Sequence, residues 1–219
     1  MNDVVKNEIA AKKSVKLPAK PRGRPLAFNQ DEALGKALHV FWARGYEGTS
    51  MAELTETLGI NKPSIYAAFG NKEALFRKAL VRYATGPAAF VGQAMNEPTA
   101  RQVVEKLLMQ AVDFFSDKNT PNGCMIVQGA LTCGQSASTI QQELIAYRSH
   151  FEAALANRFD LAKTQGDLSS NVHSKQLAKY IATIHQGMSV QATSGATREE
   201  LLAIVEIAMK NWLSHSANA

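Results

Sequence analysis

Apolar residues recur at helical spacing along nearly the whole chain, and no stretch alternates with the period of two that a strand needs. Ala33, Leu34, Ala37, Leu38, Phe41 and Trp42 make one stripe between Asn29, a good N-cap, and Gly45, which predicts a helix over 30–44. Met51, Leu54 and Leu58 follow at i, i+3 and i+7 behind Ser50-x-x-Glu53, the pattern of a capping box, and Gly59 ends that short helix. Asn61 caps the next helix, Pro63 falls in its first turn, and Ile65 and Phe69 turn back toward a core. Asn71 opens a longer helix predicted to reach Gln93. Further stripes predict helices over 100–116, 124–134, 138–165 and 174–193, and a last one behind Thr197-x-x-Glu200. The expected fold is all-α, about nine helices, with a helical pair at 50–69 as its organising element.

The outer face of that pair is unusual. Around the helix from Asn61, the positions opposite Ile65 and Phe69 are Pro63, Ser64 and Ala67, flanked by Tyr66 and Ala68. A helix about 10 Å long with so little outward charge suits insertion into a groove better than solvation. On that reading Ser64 and Tyr66 hydrogen-bond base edges or phosphates, and Pro63 and Ala67 touch thymine methyls. Thr49, Ser50, Lys62, Tyr66 and Lys72 bind phosphates and set the register.

Charge sharpens this picture. The chain has 219 residues, 46% hydrophobic and 20% charged, and a net charge of +5. Residues 1–25 hold seven basic and two acidic groups, so the whole excess sits in an N-terminal arm, and the other 194 positions are neutral overall. A solvated tail would have the same composition, so charge alone does not assign a polyanion partner. Pro21-Arg22-Gly23-Arg24-Pro25 adds a motif that resembles the AT-hook core. Arg22 and Arg24 flank a glycine and are expected to enter a narrow minor groove.

The stretch GYEGTSMAELTETLGINKPSIYAAFGNKEALF then resembles the DNA-binding domain of the TetR/AcrR family of bacterial one-component regulators. The resemblance covers about residues 22–83 and rests on Thr49, Ala52, Gly59, Ile60, Tyr66, Phe69, Lys72, Glu73, Leu75 and Phe76. Ala67 and Ala68 depart from it, since many members carry bulkier residues there. It implies three regions: a flexible basic arm (1–25), a helix-turn-helix domain (26–85) and a helical effector-binding and dimerisation domain (86–219). It also implies a homodimer built from the last two helices, binding a near-palindromic double-stranded operator and released by a small-molecule effector. The broad stripes Leu177, Tyr180, Ile181, Ile184, Met188 and Leu201, Ile204, Val205, Ala208, Trp212 are the expected dimer interface. Candidate effector-pocket residues are Phe90, Met109, Phe114, Met125, Gln128, Tyr147, Phe151 and Gln186, against the ordinary alternative that such side chains are plain core.

Other chemistry finds little support. The five histidines have no histidine or cysteine partner at i+3 or i+4, so no metal site is expected. There is no G-x-S-x-G, phosphate loop or nucleotide-binding glycine pattern, and neither catalytic residues nor a cofactor are expected. No apolar run approaches bilayer-spanning length and the N-terminus has no secretory h-region, so the expected location is the cytoplasm, away from membranes. Cys124 and Cys133 would stand about 13 Å apart on one helix, too far for a disulfide. Cys124 follows Asn122-Gly123 at a helix start, where a thiolate is favoured, which leaves a redox or electrophile sensor as the alternative to a ligand-controlled repressor.

Overall fold

A computed structural model describes the backbone at residues 28–132 and 137–216 and the side chains at 28–129 and 137–212. The described residues form helices and no strand. In order these are α1 (Gln30–Gly48), α2 (Met51–Leu58), α3 (Lys62–Phe69), α4 (Lys72–Thr85), α5 (Phe90–Ala94), α6 (Ala100–Phe115), α7 (Met125–Thr132), α8 (Ser138–Thr164), α9 (Ser174–Thr193) and α10 (Arg198–Ser216). All but the five-residue α5 have eight residues or more, as the all-α reading expects. Arg22, Arg24 and the rest of the basic arm, and Cys133, lie outside the described residues.

Caps explain most boundaries. Asn29, Asn61 and Asn71 each accept hydrogen bonds from backbone N–H groups in the first turns of α1, α3 and α4. Thr99 with Gln102, and Thr197 with Glu200, form complete capping boxes. Ser50 is only half of one. Its Oγ accepts from Glu53 N–H at 3.1 Å, but the Glu53 carboxylate turns to Arg44 Nε at 2.6 Å. α8 starts behind Ala137 without a side-chain capping bond. The helix from Asn71 stops at Thr85 rather than Gln93. Pro87 has no N–H to donate and disfavours helical backbone at Gly86, and the chain turns before α5.

One core runs through both the helix-turn-helix region and the helices beyond it. α1 packs on α4 and on α7, α8 on α9, and α10 on α6. Phe41 and Tyr46 meet Phe76 edge-on, with ring centroids 5.1 and 5.3 Å apart. The two regions are joined at Gly123. Its carbonyl accepts from Trp42 Nε1 at 3.0 Å, and the next residue, Cys124, donates its N–H to Ser189 Oγ at 2.7 Å. Gly123 has φ 78°, and a Cβ there would stand 2.7 Å from Thr193 Cγ2 and 2.8 Å from Ser189 O. Gly123→Ala is therefore expected to destabilise the fold by about 2–5 kcal/mol, from left-handed strain and overpacking against backbone. Urea unfolding followed by circular dichroism measures this.

The expected dimer stripes need correction. Ile181, Met188, Leu201, Val205, Ala208 and Trp212 are buried in the chain's own core. The stripes are broad because α9 and α10 each pack on the helices beneath them, not because those residues await a partner. Tyr180 is exposed, and Leu177, Ile184 and Ile204 are half-buried. Ile207, 64% exposed, and Val190 lie outside the sequence-based set.

Candidate functional site

The first candidate surface is built by α2, its turn and α3. Gly59 adopts the left-handed conformation at φ 68°, and its N–H caps the carbonyls of Thr55 and Glu56, which ends α2 and lets the chain reverse. Ile65 and Phe69 anchor α3, with 0% and 4% of their surface exposed. Lys62, Pro63, Tyr66 and Ala67 are thereby turned outward, with Ser64 half-buried beside them. Three ammonium groups flank this face over aromatic rings. Lys62 Nζ is 5.9 Å from the Tyr66 ring centroid, Lys72 Nζ is 4.4 Å from that of Tyr46, and Lys78 Nζ is 5.6 Å from that of Phe69. None of the three forms an ion pair among the described residues. Partial burial lowers the Lys72 pKa, opposed by the Glu47 carboxylate.

Two residues differ from their expected roles. The Thr49 side chain is fully buried, and its hydroxyl donates to Gly45 O at 2.7 Å. It closes the turn after the kink at Gly45 (φ 71°) and is not available to a phosphate. Ser50 is exposed, and because its Oγ accepts the capping bond its own hydroxyl proton can still point outward. Lys78 was not among the sequence candidates. Its ammonium donates to Ala68 O at 3.4 Å, at the negative C-terminal end of α3, a contact between positions ten apart that no local pattern reveals.

The second candidate is a cavity of about 210 Å³. Tyr83 and Ala84 of α4, Ala88, Phe90, Val91 and Gly92 around α5, Phe114 and Phe115 of α6, Cys124 and Ile126, Tyr147, Arg148 and Phe151 of α8, and His185 of α9 line it. Of the candidate effector-pocket residues, Phe90, Phe114, Tyr147 and Phe151 line this cavity. Met109, Met125, Gln128 and Gln186 are not in the lining. Met125 is core at 2% exposure, and Met109 packs half-buried on the core. Gln128 Nε2 donates to Thr193 Oγ1 at 3.2 Å. Gln186 follows His185 on α9, about 100° around the helix.

Burial governs the chemistry of the lining. The Cys124 thiol accepts from Tyr83 OH at 3.3 Å, and burial pushes its pKa up. The expected thiolate preference is thus outweighed by desolvation. His185 is 6% exposed between the rings of Phe115 and Phe151, with centroids 5.3 and 5.2 Å away. Neither of its nitrogens has a hydrogen-bond partner among the described residues, and burial pulls its pKa down from 6.5 to about 4. The unfolded chain therefore takes up a proton below pH 6.5 that the folded chain refuses until about pH 4. Stability is complete above that window and is expected to fall by about 3 kcal/mol across it as pH drops. His185→Gln is expected to flatten this segment of the stability–pH curve, measured by denaturant unfolding at a series of pH values.

Among the described residues no group of three or more His, Cys, Asp or Glu could hold a metal, and no helix is long and apolar enough to cross a membrane.

Residues 33–79 match the family model for bacterial regulatory proteins of the tetR family. The HTH-type transcriptional repressor ComR of Escherichia coli K12 is 33% identical over 195 residues, 88% of this chain and 93% of its own. The repressor BdcR of the same organism is 29% identical over 203 residues, 91% of this chain and 95% of its own. Among solved structures, a cysteine mutant of the TetR family transcriptional regulator CifR, complexed with a 26 bp double-strand operator DNA, is 40% identical. It covers 86% of this chain and 100% of its own, with a TM-score of 0.83. The chain belongs to the TetR family of bacterial regulatory proteins. In this TetR-family chain the family match spans most of α1, all of α2 and α3, and α4 as far as Ala79, which includes the outward face of α3 and its flanking lysines.

Proposed function

We propose that this protein is a repressor that binds a near-palindromic operator as a homodimer and leaves it when a small molecule fills the cavity. The outward face of α3 carries this reading: a short, rigidly anchored helix, nearly uncharged, flanked by ammonium groups that form no salt bridge among the described residues. Ser64, Tyr66, Pro63 and Ala67 read base edges and groove shape, and Ser50, Lys62, Lys72 and Lys78 hold phosphates. Residues 26–85 are the reader and 86–219 the effector-binding and dimerisation part, while the basic arm of 1–25, with Arg22 and Arg24, adds minor-groove contact. The protein is a regulator and not an enzyme.

The exposed Tyr180 and Ile207, with the half-buried Ile184 and Ile204 on the same two helices, support a two-fold interface between copies, since α9 and α10 also pack on each other. Such a dimer sets two α3 helices about one DNA turn apart. Ile207→Glu places a charge on this face at a position that is 64% exposed in the single chain, so the fold should tolerate it. The variant is expected to sediment as a monomer and to lose operator binding in a gel shift. A folded Ile207→Glu dimer with full DNA affinity would refute this interface.

Two contacts support coupling of the cavity to the reader. Trp42 of α1 stacks on the cavity residue Phe114, with centroids 5.3 Å apart. Arg77 of α4 grips Glu143 of α8 with Nε at 2.9 and 3.0 Å from the two carboxylate oxygens, one turn before the cavity residue Tyr147. A ligand that displaces α6 or α8 thereby biases α1 and α4, and a spacing that no longer fits the operator becomes favoured. Cys124 lines the same cavity, so a thiol-directed effector is the second reading. Cys124→Ser abolishes the response under that reading and leaves it intact under the first.

A further inference from the structure

The cavity lining holds two residues with buried polar atoms that have no hydrogen-bond partner among the described residues. His185, more than nine-tenths buried, has no partner at Nδ1 or Nε2. Arg148 has a buried Nε without a partner, and its guanidinium forms no ion pair among the described residues. Buried polar atoms are nearly always satisfied; these nitrogens are out of reach of a water molecule, so a ligand atom meets them once the side chains turn toward the cavity. Among the described residues of the lining Arg148 is the charged one, and no carboxylate faces it there. Glu143, on the same helix, is already held by Arg77. The remaining walls are largely aromatic, including Phe90, Phe114 and Phe151.

From this we infer that the effector is a small aromatic carboxylate, its ring against the aromatic walls, its carboxylate on Arg148 and His185 as a hydrogen-bond partner. This rests on the reading of the cavity as an effector site. Size agrees: a cavity of roughly 150 Å³ admits benzene, and one of about 210 Å³ leaves room for a ring with a few further atoms. Charge agrees as well, because a monoanion neutralises the single cation of the lining, and the guanidinium fork matches a carboxylate.

Calorimetric titration of the full-length protein with benzoate, phenylacetate and the neutral benzyl alcohol tests this. Both acids are expected to bind, with the alcohol at least roughly tenfold weaker, the size of one charge-assisted hydrogen bond. Arg148→Gln is expected to erase that preference, while Arg148→Lys, which keeps the charge, retains part of it. A melting curve for each variant confirms that it is folded. Benzyl alcohol binding as tightly as the acids, an unchanged preference in folded Arg148→Gln, or no acid binding to the folded wild type would overturn the inference. A gel shift in the same samples separates the two levels. Acids that bind but leave the protein on its operator uphold the ligand class and overturn its role as the releasing effector.

Discussion

Trp42→Ala is expected to lower unfolding stability by about 3–6 kcal/mol, most of what a domain commonly has. Trp42 is 4% exposed, so truncation leaves a large void in a continuous core. It removes the edge-on contact with Tyr83 at 5.0 Å and the stack on Phe114. It also strands the buried Gly123 carbonyl, which loses its indole donor. Trp42→Phe keeps a ring but not the N–H, and is expected to cost about 1–3 kcal/mol, close to an unsatisfied buried acceptor alone. Because Trp42 and Gly123 share one contact, combining Trp42→Phe with Gly123→Ala should cost less than the sum of the two, measured by a double-mutant cycle in urea. Strict additivity would mean that the Trp42–Gly123 bond does not tie the two regions together.

The second large effect is on DNA. Lys62→Ala with Lys72→Ala is expected to weaken operator binding by one to two orders of magnitude at moderate salt, at every site sequence alike. In a dimer four ammonium groups are lost, so the slope of log affinity against log salt should shrink by roughly 4. Both lysines sit outside the α3 anchor residues, so melting temperature should hardly change. Ser64→Ala should act differently, altering preference between sites while leaving the salt slope unchanged. Binding titrations across a salt series separate the two. A salt slope untouched by the double lysine change would remove these residues from the phosphate contacts.

The helix-turn-helix was legible in the chain because its signals are local. Asn61 and Asn71 cap, Gly59 reverses the chain, and Ile65 with Phe69 fixes which side of α3 faces out, all within one or two turns. The cavity was half legible. Phe90, Phe114, Tyr147 and Phe151 stood out as aromatics, but aromatic type does not say whether a side chain faces a void or a neighbour. Met125 and Gln128 show the same ambiguity resolved the other way. Arg148 and His185 carried no signal, since what marks them is a missing partner, a property of the assembled helices. Thr49 failed for a related reason: its hydroxyl could bind a phosphate or close its own turn, and only the Gly45 kink decides. The α9 and α10 stripes were read as a dimer interface although most of their residues lie in the chain's own core, because helical periodicity reports a buried face without naming what buries it.

Nuclease footprinting of purified full-length protein on the promoter beside its own coding region tests the central claim most directly. A protected segment with two half-sites about one helical turn apart, weakened by the double lysine change, is the expected result. Uniform coverage without a preferred segment, or no protection at concentrations where the protein is dimeric, would contradict it.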